Sequence, residues 1–324
     1  MKHLLLIDAN SIIHRSFHAL PPLTTPEGKP SGAIYGIASI LIKLWRENKP
    51  DYVAALYDRP EPTFRDKKYK EYKAQRPPAA QELIDQIIES QNLFHAFGVK
   101  TFDKPGYEAD DLIATFAEAF KEKVSDAKHL QVVILTGDRD TLQLVEDDRV
   151  VVKTFNKGVS DTTIYDEKAV EEKYFLKPNQ LIDYKALVGD ASDNIKGVPG
   201  VGPKTAVDLI RRFGTVKDMF ERLKEDPKLE AKYGNFKAEA ELSEELVTLE
   251  RHVPIEMPKL EDLDPHDASD DITKYFQDMG FITLLKRFLM NGEPEPVKPK
   301  RHKKEKQPLP EAKTKPKNPQ TPLF

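Results

Sequence analysis

Short apolar runs alternate with longer segments of helical periodicity through the first half of the chain. Residues 3–7, 52–57 and 131–136 are largely apolar, which is typical of parallel strands buried on both faces. Residues 33–45 and 80–97 carry apolar side chains at helical spacing. Strands that alternate with helices predict an α/β fold with a mainly parallel sheet and helices on both of its faces.

Weaker patterns extend this prediction towards the C-terminus. Further strands are expected at 99–102, 149–155 and 162–165, and further helices at 112–123 and 178–187. Beyond about residue 175 the pattern is mainly helical with loops, which indicates a second lobe.

Charge is distributed unevenly along the chain. The 324 residues carry a formal net charge of −4, yet residues 293–324 contain nine Lys or Arg against four Asp or Glu. That segment also holds eight of the 25 prolines and shows no apolar periodicity, so we expect a disordered basic tail. The remaining body is acidic, which argues against broad nucleic-acid binding and fits carboxylates collected at a metal site.

Composition narrows the chemistry further. The chain has no Cys, so a metal would be held by carboxylates, His or main-chain oxygens. Its apolar runs are far too short to span a bilayer, and its N-terminus lacks the pattern of a signal peptide. We therefore expect a cytoplasmic location.

Acidic residues follow the predicted strands and open the predicted helices. Asp8 and Asp58 end two strands, and Asp138 and Asp140 follow a third. Because ligands bind beyond the carboxyl ends of strands in open α/β sheets, we expect these side chains at one edge, together with the acidic residues that open the helix predicted at 112–123. The complete set of expected carboxylates is Asp8, Asp58, Glu108, Asp110, Asp111, Asp138, Asp140, Asp190 and Asp193.

Carboxylates gathered in this number would repel one another unless cations were bound there. Oxygen ligands without Cys or a His cluster indicate Mg²⁺ or Mn²⁺, and two or more ions are expected because one Mg²⁺ takes few carboxylates. A pair of ions can hold the attacking and leaving oxygens of a phosphate displacement. Taken singly, each Asp could equally be a helix cap or a turn residue.

A glycine-rich segment follows the last carboxylates of this set. Gly197, Gly200 and Gly202 precede Lys204, Thr205 and an amphipathic helical pattern. Glycines let the backbone approach a ligand closely, and a helix N-terminus offers free N–H groups and a positive dipole end. The segment therefore predicts a phosphate site close to the acidic residues.

Residues 65–76 form a basic strip with six Lys or Arg, two acidic residues and two Tyr. Lys and Arg can hold backbone phosphates while Tyr stacks on an unpaired base. The alternative is an ordinary solvated helical face.

Several longer motifs occur in order along residues 3 to 291. They are LLIDANSIIHRSFHAL, YDRPEPTFR with YKEYKAQR, GYEADD, LTGDRDTLQL, LVGDASDNIKGVPGVGPKTA and FITLLKRF. Together they resemble the 5′-nuclease or flap endonuclease family, and most of all the 5′→3′ exonuclease domain of bacterial DNA polymerase I.

The resemblance implies a PIN-like core over residues 1–175, with a helical arch at about 62–80 that receives the free 5′ strand. A helix–three-turn–helix lobe that binds duplex DNA would occupy residues 176–291, followed by the disordered tail at 292–324. The chain would be either a stand-alone nuclease or the nuclease part of a DNA polymerase.

The resemblance also assigns roles to residues. All the acidic residues named above would be metal ligands, with Mg²⁺ as the ion and Mn²⁺ as a substitute. Lys73 and Arg76 would hold and polarise the scissile phosphate, and Arg65 and Tyr72 would contact DNA nearby. The loop at 197–205 would bind the phosphates of uncut duplex, with a K⁺ ion held in it.

The predicted activity is metal-dependent hydrolysis of phosphodiesters near single/double-strand junctions. The substrates would be DNA with 5′ flaps, nicks or recessed 5′ ends, and RNA primers. The enzyme would act as a monomer in replication and repair, either alone or linked to a DNA polymerase. The alternatives are a PIN-type ribonuclease acting on structured RNA, a non-catalytic DNA-junction binder whose acidic cluster is structural, and a small-molecule phosphatase. The arch and the glycine-rich loop argue against the ribonuclease, and the complete carboxylate set argues against the non-catalytic binder. A small-molecule phosphatase would not need the segment from Gly197 to Lys204.

Overall fold

A mainly parallel sheet forms the centre of the chain in the computed structural model, which describes residues 1–123, 130–147, 149–156 and 161–290. Its strands are β1 (Lys2–Asp8), β2 (Tyr52–Tyr57), β3 (Lys100–Asp103), β4 (Leu130–Thr136), β5 (Val150–Phe155) and β6 (Thr162–Tyr165). Within the described residues their order is β3-β2-β1-β4-β5-β6, and β5 and β6 form the antiparallel pair. The predicted mainly parallel sheet is confirmed, whereas the tail expected at 292–324 lies outside the described residues.

Helices connect these strands and continue beyond them. In chain order they are α1 (Ala9–Ala19), α2 (Gly32–Asn48), α3 (Phe64–Lys68), α4 (Gln81–Ala96), α5 (Ala109–Lys123), α6 (Glu167–Tyr174), α7 (Leu181–Val188), α8 (Pro203–Phe213), α9 (Val216–Arg222), α10 (Pro227–Tyr233), α11 (Lys237–Val247), α12 (Ser269–Asp278) and α13 (Ile282–Leu289). The helices predicted at 33–45, 80–97 and 112–123 correspond to α2, α4 and α5. In the part of the chain that is described, no helix is long and apolar enough to cross a membrane.

Helices cover both faces of the sheet. Successive residues of a strand point to opposite faces, so each central strand contributes side chains to two core layers. Leu5 and Ile7 of β1 pack into one core layer with residues of α1, α2 and α4. Leu4 and Leu6 pack into the other layer, against α5. The continuous apolar runs in the sequence therefore reflect strands that are buried on both sides.

A helical lobe with its own core follows the sheet. Leu187 of α7, Ile210 and Phe213 of α8, and Met219 of α9 are buried together in it. The lobe also contains an antiparallel hairpin of β7 (Gly189–Asp190) and β8 (Ile195–Lys196). This hairpin was not predicted, because strands of two residues have no periodicity to detect.

The last two helices return to the sheet instead of packing in the lobe, although the sequence placed them in the range 176–291. Ile272 and Phe276 of α12 and Leu284 of α13 are buried in the core layer that contains α2 and α4. The ring of Phe276 meets Phe97 of that layer edge-on, with 6.0 Å between their centroids. The C-terminal helices therefore cover one face of the sheet.

Residues 62–80, expected as a helical arch, contain one short helix, α3, followed by turns. The helix begins with a capping box in which the carboxylate of Asp66 accepts the N–H of Thr63 at 2.7 Å. Within the turns, Lys73 has a φ of 52°, in the left-handed region that residues other than Gly seldom adopt. The expected arch is therefore mostly turn.

Replacement of Phe276 with Ala should lower the free energy of unfolding by about 3–5 kcal/mol, because removal of a buried ring leaves a cavity. Urea denaturation followed by circular dichroism measures this change. The matched control is Lys274→Ala on the same helix, where the side chain is 80% exposed; we expect it to change stability by less than about 0.5 kcal/mol. A loss below about 1 kcal/mol for Phe276→Ala would contradict the placement of α12 in the core.

Candidate active site

A pocket of about 320 Å³ lies at the carboxyl edge of the sheet, beyond the ends of β1, β2 and β4. Asp8 is the last residue of β1, Asp58 follows β2 directly, and Asp138 lies just beyond β4. Because β1 pairs with both β2 and β4, these carboxylates meet in the pocket. Its described lining is Asp8, Asn10, Ser11, His14, Arg15, Asp58, Lys73, Arg76, Glu108, Ala109, Asp110, Gly137 and Asp138.

The N-terminal end of α5 adds Glu108 and Asp110 to the pocket. Oδ1 of Asp58 accepts the N–H of Ala109 at 2.7 Å and so fixes the start of the helix beside the end of β2. Carboxylates are favoured at this end of a helix by its unpaired N–H groups and its dipole. Five of the predicted ligand carboxylates therefore share one pocket.

Neutral donors hold the carboxylates at the strand ends. Asp8 accepts the N–H of Ser11 at 3.0 Å and the hydroxyl of Thr136 at 2.6 Å. The hydroxyl oxygen of Thr136 accepts the N–H of Asp138 at 2.9 Å. Oδ1 of Asp138 in turn accepts the N–H of Asp140 at 2.9 Å. These bonds fix the side chains in place without supplying positive charge.

Burial and repulsion by neighbouring carboxylates raise the pKa values of Asp8 and Asp110. For Asp8, which is 4% exposed, burial raises the pKa to about 7, and the neighbouring carboxylates of Asp58 and Asp138 add to the shift. Burial also raises the pKa of Asp110 well above its usual value, and repulsion by Asp138 and Asp8 adds to it. A bound cation would offset this cost, because positive charge stabilises the ionised carboxylates.

The donor set fits a hard divalent cation. Oδ1 of Asp110 is buried, and no other described atom forms a hydrogen bond with it. All the acidic side chains of the pocket offer oxygen, the ligand atom that Mg²⁺ and Mn²⁺ prefer. Across the described ranges, no three Asp, Glu or His side chains already surround a common metal position. Ion binding would therefore require the carboxylates to turn towards one point.

A second group of carboxylates lies beside the pocket, around Lys185. The ammonium of Lys185 donates to Asp140 and, at 2.7 Å, to Oδ2 of Asp190. Burial raises the pKa of Asp140 to about 7, and Asp138 adds to this shift. At Asp190 burial acts in the same direction, but hydrogen bonds from Lys185 and Ser192 lower the pKa to about 2. The chain thus supplies its own cation to this group.

Lys73 and Arg76 of the basic strip contact carboxylates at the pocket wall. Nζ of Lys73 lies 2.7 Å from Oε1 of Glu108, and Nη2 of Arg76 lies 2.6 Å from Oδ1 of Asp193. The N–H of Lys73 also donates to the carbonyl of Asp193 at 2.9 Å. The strip is therefore held against the segment that carries Asp193, with both cations facing the pocket.

Arg65 and Asp111 form a buried pair, which corrects their expected roles in DNA and metal binding. They are 1% and 0% exposed and share two hydrogen bonds of 2.7 Å. Arg65 also donates to the carbonyls of Leu246 and Thr248, and Asp111 accepts the N–H of Glu250. Arg65 cannot reach DNA from this position, and the carboxylate of Asp111 is fully used as its counter-ion.

Tyr72 is also buried, which corrects the expectation that it contacts DNA. It is 5% exposed, and its ring packs with Ile195 and Leu246. Its hydroxyl lies 3.0 Å from Glu108 and 3.2 Å from Asp193, and it donates to these carboxylates. Tyr72 therefore positions two acidic residues and has no free ring face for a base.

The glycines of the segment at 197–205 differ in their roles. Gly200 has a φ of 79°, which favours glycine at this position. A Cβ on Gly197 would lie 2.2 Å from the carbonyl carbon of Val188 and 2.5 Å from the N atom of Gly189. Close packing of two backbone segments therefore requires glycine at position 197.

The N-terminus of α8 is open to solvent. Gly202 precedes the helix, Pro203 is its first residue, and no side chain caps it. Lys204 is exposed and Thr205 is half-buried in the first turn. The first turn of α8 therefore combines uncapped N–H groups with an exposed Lys, and both features favour phosphate.

Two family models match adjoining parts of the chain. Residues 3–175 match the model described as 5′-3′ exonuclease, N-terminal resolvase-like domain. Residues 176–271 match the model described as 5′-3′ exonuclease, C-terminal SAM fold. The chain belongs to the 5′-3′ exonuclease family.

Curated relatives in this family include both short and long proteins. The 5′-3′ exonuclease of Aquifex aeolicus (strain VF5) is 39% identical over 264 residues, which cover 81% of this chain and 86% of that protein. DNA polymerase I of Bacillus subtilis (strain 168) is 38% identical over 289 residues, which cover 88% of this chain. The match spans 32% of the length of that polymerase.

Solved structures of 5′-nucleases share the fold. Zinc-bound T5 5′-exonuclease has a TM-score of 0.61 at 24% identity, covering 90% of this chain and 100% of that one. The bacteriophage T5 D15 flap endonuclease, in complex with DNA and metal ions, has a TM-score of 0.60 at 21% identity, with 90% and 99% covered. These likenesses confirm the predicted PIN-like sheet and C-terminal helical fold of the 5′-3′ exonuclease family.

Lys185 and Asn10 belong to the site although the sequence did not indicate them. Oδ1 of Asn10 accepts the backbone N–H of Asp58 at 3.1 Å and so fixes the main chain at that residue. Lys185 precedes Asp190 by five residues on a predicted helix. That spacing was the one signal available, and a Lys on a helix is far more often solvated than paired.

Replacement of Arg65 with Met should lower the free energy of unfolding of this family member by about 3–5 kcal/mol, because Asp111 would remain buried without its counter-ion. Denaturation by guanidinium chloride, followed by circular dichroism, gives the value. The double variant Arg65→Met/Asp111→Leu should recover most of the loss, since neither charge is then buried alone. A cost below about 1 kcal/mol for the single variant, the range of exposed ion pairs, would show that the pair is solvated.

Proposed function

We propose that this chain is a metal-dependent 5′→3′ exonuclease and 5′-flap endonuclease that hydrolyses phosphodiesters of DNA near single/double-strand junctions. The observation that carries the proposal is the pocket in which five carboxylates meet Lys73 and Arg76. The 5′-3′ exonuclease of A. aeolicus and the T5 flap endonuclease bound to DNA and metal ions support it. We also propose that the chain acts as a monomer and removes RNA primers. A link to a DNA polymerase is part of the proposal, because DNA polymerase I of B. subtilis contains a similar segment.

The five carboxylates of the pocket are proposed to hold the first divalent ion, four Asp directly and Glu108 at the side of the site. The four Asp are Asp8, Asp58, Asp110 and Asp138. We infer Mg²⁺, with Mn²⁺ as a substitute, because every donor is an oxygen. When bound, such ions polarise a phosphoryl oxygen and make water a stronger nucleophile at neutral pH. The residues proposed for a second ion are Asp140, Asp190 and Asp193.

Lys73 and Arg76 are proposed to bind and orient the scissile phosphate. Their pairing with Glu108 and Asp193 keeps both cations at the pocket wall before DNA arrives. A phosphate diester can accept hydrogen bonds from both side chains, and Arg presents a planar fork that suits it. The fixed positive charges would then face the negative charge that develops on the phosphate during hydrolysis.

The glycine-rich loop and the N-terminus of α8 are proposed to hold the uncut duplex. The open helix end and exposed Lys204 support this assignment, because both attract phosphate. A K⁺ ion held by main-chain oxygens of the loop is part of the proposal. Contacts of this kind would position the duplex without reading its sequence.

Asp110→Asn should slow cleavage of a 5′-end-labelled DNA flap by about 100-fold or more, because a ligand charge is lost while the shape of the side chain is kept. The native chain should release short 5′ fragments with Mg²⁺, and EDTA should abolish this cleavage. Flap binding, measured by fluorescence anisotropy in EDTA, should change by less than about threefold, since phosphate contacts lie elsewhere.

The matched control is Asp278→Asn, which removes an exposed carboxylate that does not line the pocket, with 67% of its side chain accessible. It should cleave at the native rate. Tight flap binding without cleavage in Mg²⁺ or Mn²⁺ would replace the proposed enzyme with a junction-binding protein. Faster cleavage of a matched RNA flap than of the DNA flap would instead indicate a ribonuclease.

Lys204→Ala should reduce the salt dependence of flap binding, because one phosphate contact is lost. The slope of log K against log salt concentration should become shallower by about one unit. Anisotropy titrations at several KCl concentrations measure this slope, with Lys274→Ala as the control that should keep the native value. An unchanged slope in Lys204→Ala would exclude the proposed contact between this side chain and the DNA backbone.

A further inference from the structure

Lys185 occupies the space between two carboxylates that the sequence predicted as metal ligands. It projects from α7, and its side chain is 22% exposed. Asp140 begins the short helical segment after β4, and Asp190 lies in β7. A single ammonium therefore joins the edge of the sheet to the helical lobe.

Ion pairs divide the acidic residues of the site into two groups. Among the described residues, the acidic residues of the site that form an ion pair with Lys or Arg are Glu108, Asp111, Asp140, Asp190 and Asp193. In the same part of the chain, no ion pair involves Asp8, Asp58, Asp110 or Asp138. The unpaired group lines the pocket. The chain thus leaves one carboxylate group open to an external cation and fills the other with its own side chains.

The oxygen that Lys185 occupies is the one that an ion would need. Oδ1 of Asp190 already accepts the N–H of Ser192 at 2.8 Å and its hydroxyl at 2.6 Å. Oδ2 is held by Lys185 at 2.7 Å. A divalent ion placed between Asp140 and Asp190 would lie within a few ångströms of the ammonium and would be repelled by it.

We propose that Lys185 is an internal counter-cation of Asp140 and Asp190, and that a second divalent ion binds there only after the ammonium has moved away. This inference rests on the proposed metal-dependent function. In the absence of DNA the chain would then hold one ion strongly, in the pocket of Asp8, Asp58 and Asp110. Lys185 would act as a positioning residue that keeps the second ion site closed.

The arrival of DNA gives the ammonium an alternative partner. Lys has a flexible four-carbon stem and a compact charge, so it can exchange one anionic partner for another without moving the backbone. A backbone phosphate next to the pocket would attract the ammonium away from the two carboxylates. Binding of the second ion would therefore be coupled to binding of substrate.

Mn²⁺ titrations without DNA test the proposal by a measurement that is independent of cleavage. Bound ions are counted by calorimetry and by electron paramagnetic resonance of free Mn²⁺, in the native chain, Lys185→Met and Lys185→Arg. Lys185→Met keeps the stem without the charge and should bind a second Mn²⁺ about tenfold more tightly or better, the scale on which one neighbouring charge alters ion affinity. Lys185→Arg keeps the charge and should resemble the native chain. Lys168→Met, which removes an exposed charge on α6, should also resemble it.

A measurement on the native chain covers the case in which Lys185→Met does not fold. Reductive methylation of lysines, read by peptide mass spectrometry, reports whether each ammonium is free. Labelling of Lys185 should rise at least about threefold when high Mn²⁺ fills the second site, because the ammonium is released from its ion pairs. Labelling of Lys168 should not change.

The outcomes separate this inference from the proposed function. The proposal is wrong if the native chain binds two Mn²⁺ ions with equal affinity, or if Lys185→Met leaves the affinity for the second Mn²⁺ unchanged. In either case the ammonium of Lys185 does not prevent binding of a second ion. Labelling of Lys185 that is indifferent to Mn²⁺ would overturn the proposal in the same way. If none of the folded chains binds Mn²⁺ at all, the metal-dependent function fails and this inference fails with it.

Discussion

Taking several carboxylates out of water at one edge of a sheet costs free energy, because each loses hydration and repels the others. Parallel pairing of β1 with β2 and β4 brings Asp8, Asp58 and Asp138 together by topology alone. The chain offsets the cost with hydroxyl and N–H donors at the strand ends, with the N-terminus of α5, and with basic side chains around the outer carboxylates. The basic strip and α7 are placed so that they carry those positive charges to the acidic edge.

The buried pair of Arg65 and Asp111 connects the elements that carry these charges. Arg65 comes from α3, Asp111 comes from α5, and the carbonyl of Leu246 that Arg65 contacts lies in the last turn of α11. The basic strip, helix α5 beside the sheet, and the helical lobe therefore meet at this one ion pair. Because a buried charge is stable only while all its hydrogen bonds are made, this point also limits how far the three elements can separate.

The sheet was predictable because strands buried on both faces leave continuous apolar runs, and the acidic edge followed from the order of strands and helices. The pairing of individual side chains was not predictable. Asp110 and Asp111 are neighbours in sequence, yet a helix turns about 100° per residue, so one faces the pocket and the other faces Arg65. In the same way, Arg65 is buried and Arg76 reaches the pocket although both belong to one basic strip. Local composition is the same in each case, and only packing against distant segments separates the two roles.

The hairpin of β7 and β8 has a consequence for where a strand would be cut. It carries Asp190 at one end and leads into the glycine-rich loop at the other, and Gly189 and Gly197 meet there backbone to backbone. This contact places the backbone that carries Asp190 directly beside the start of the loop proposed to bind the duplex. If the loop binds the duplex as proposed, a fixed distance from the loop to the acidic residues would keep the number of nucleotides between the bound phosphates and the hydrolysed bond constant. The register of cutting would then be set by the protein backbone, and it would be the same for every base sequence.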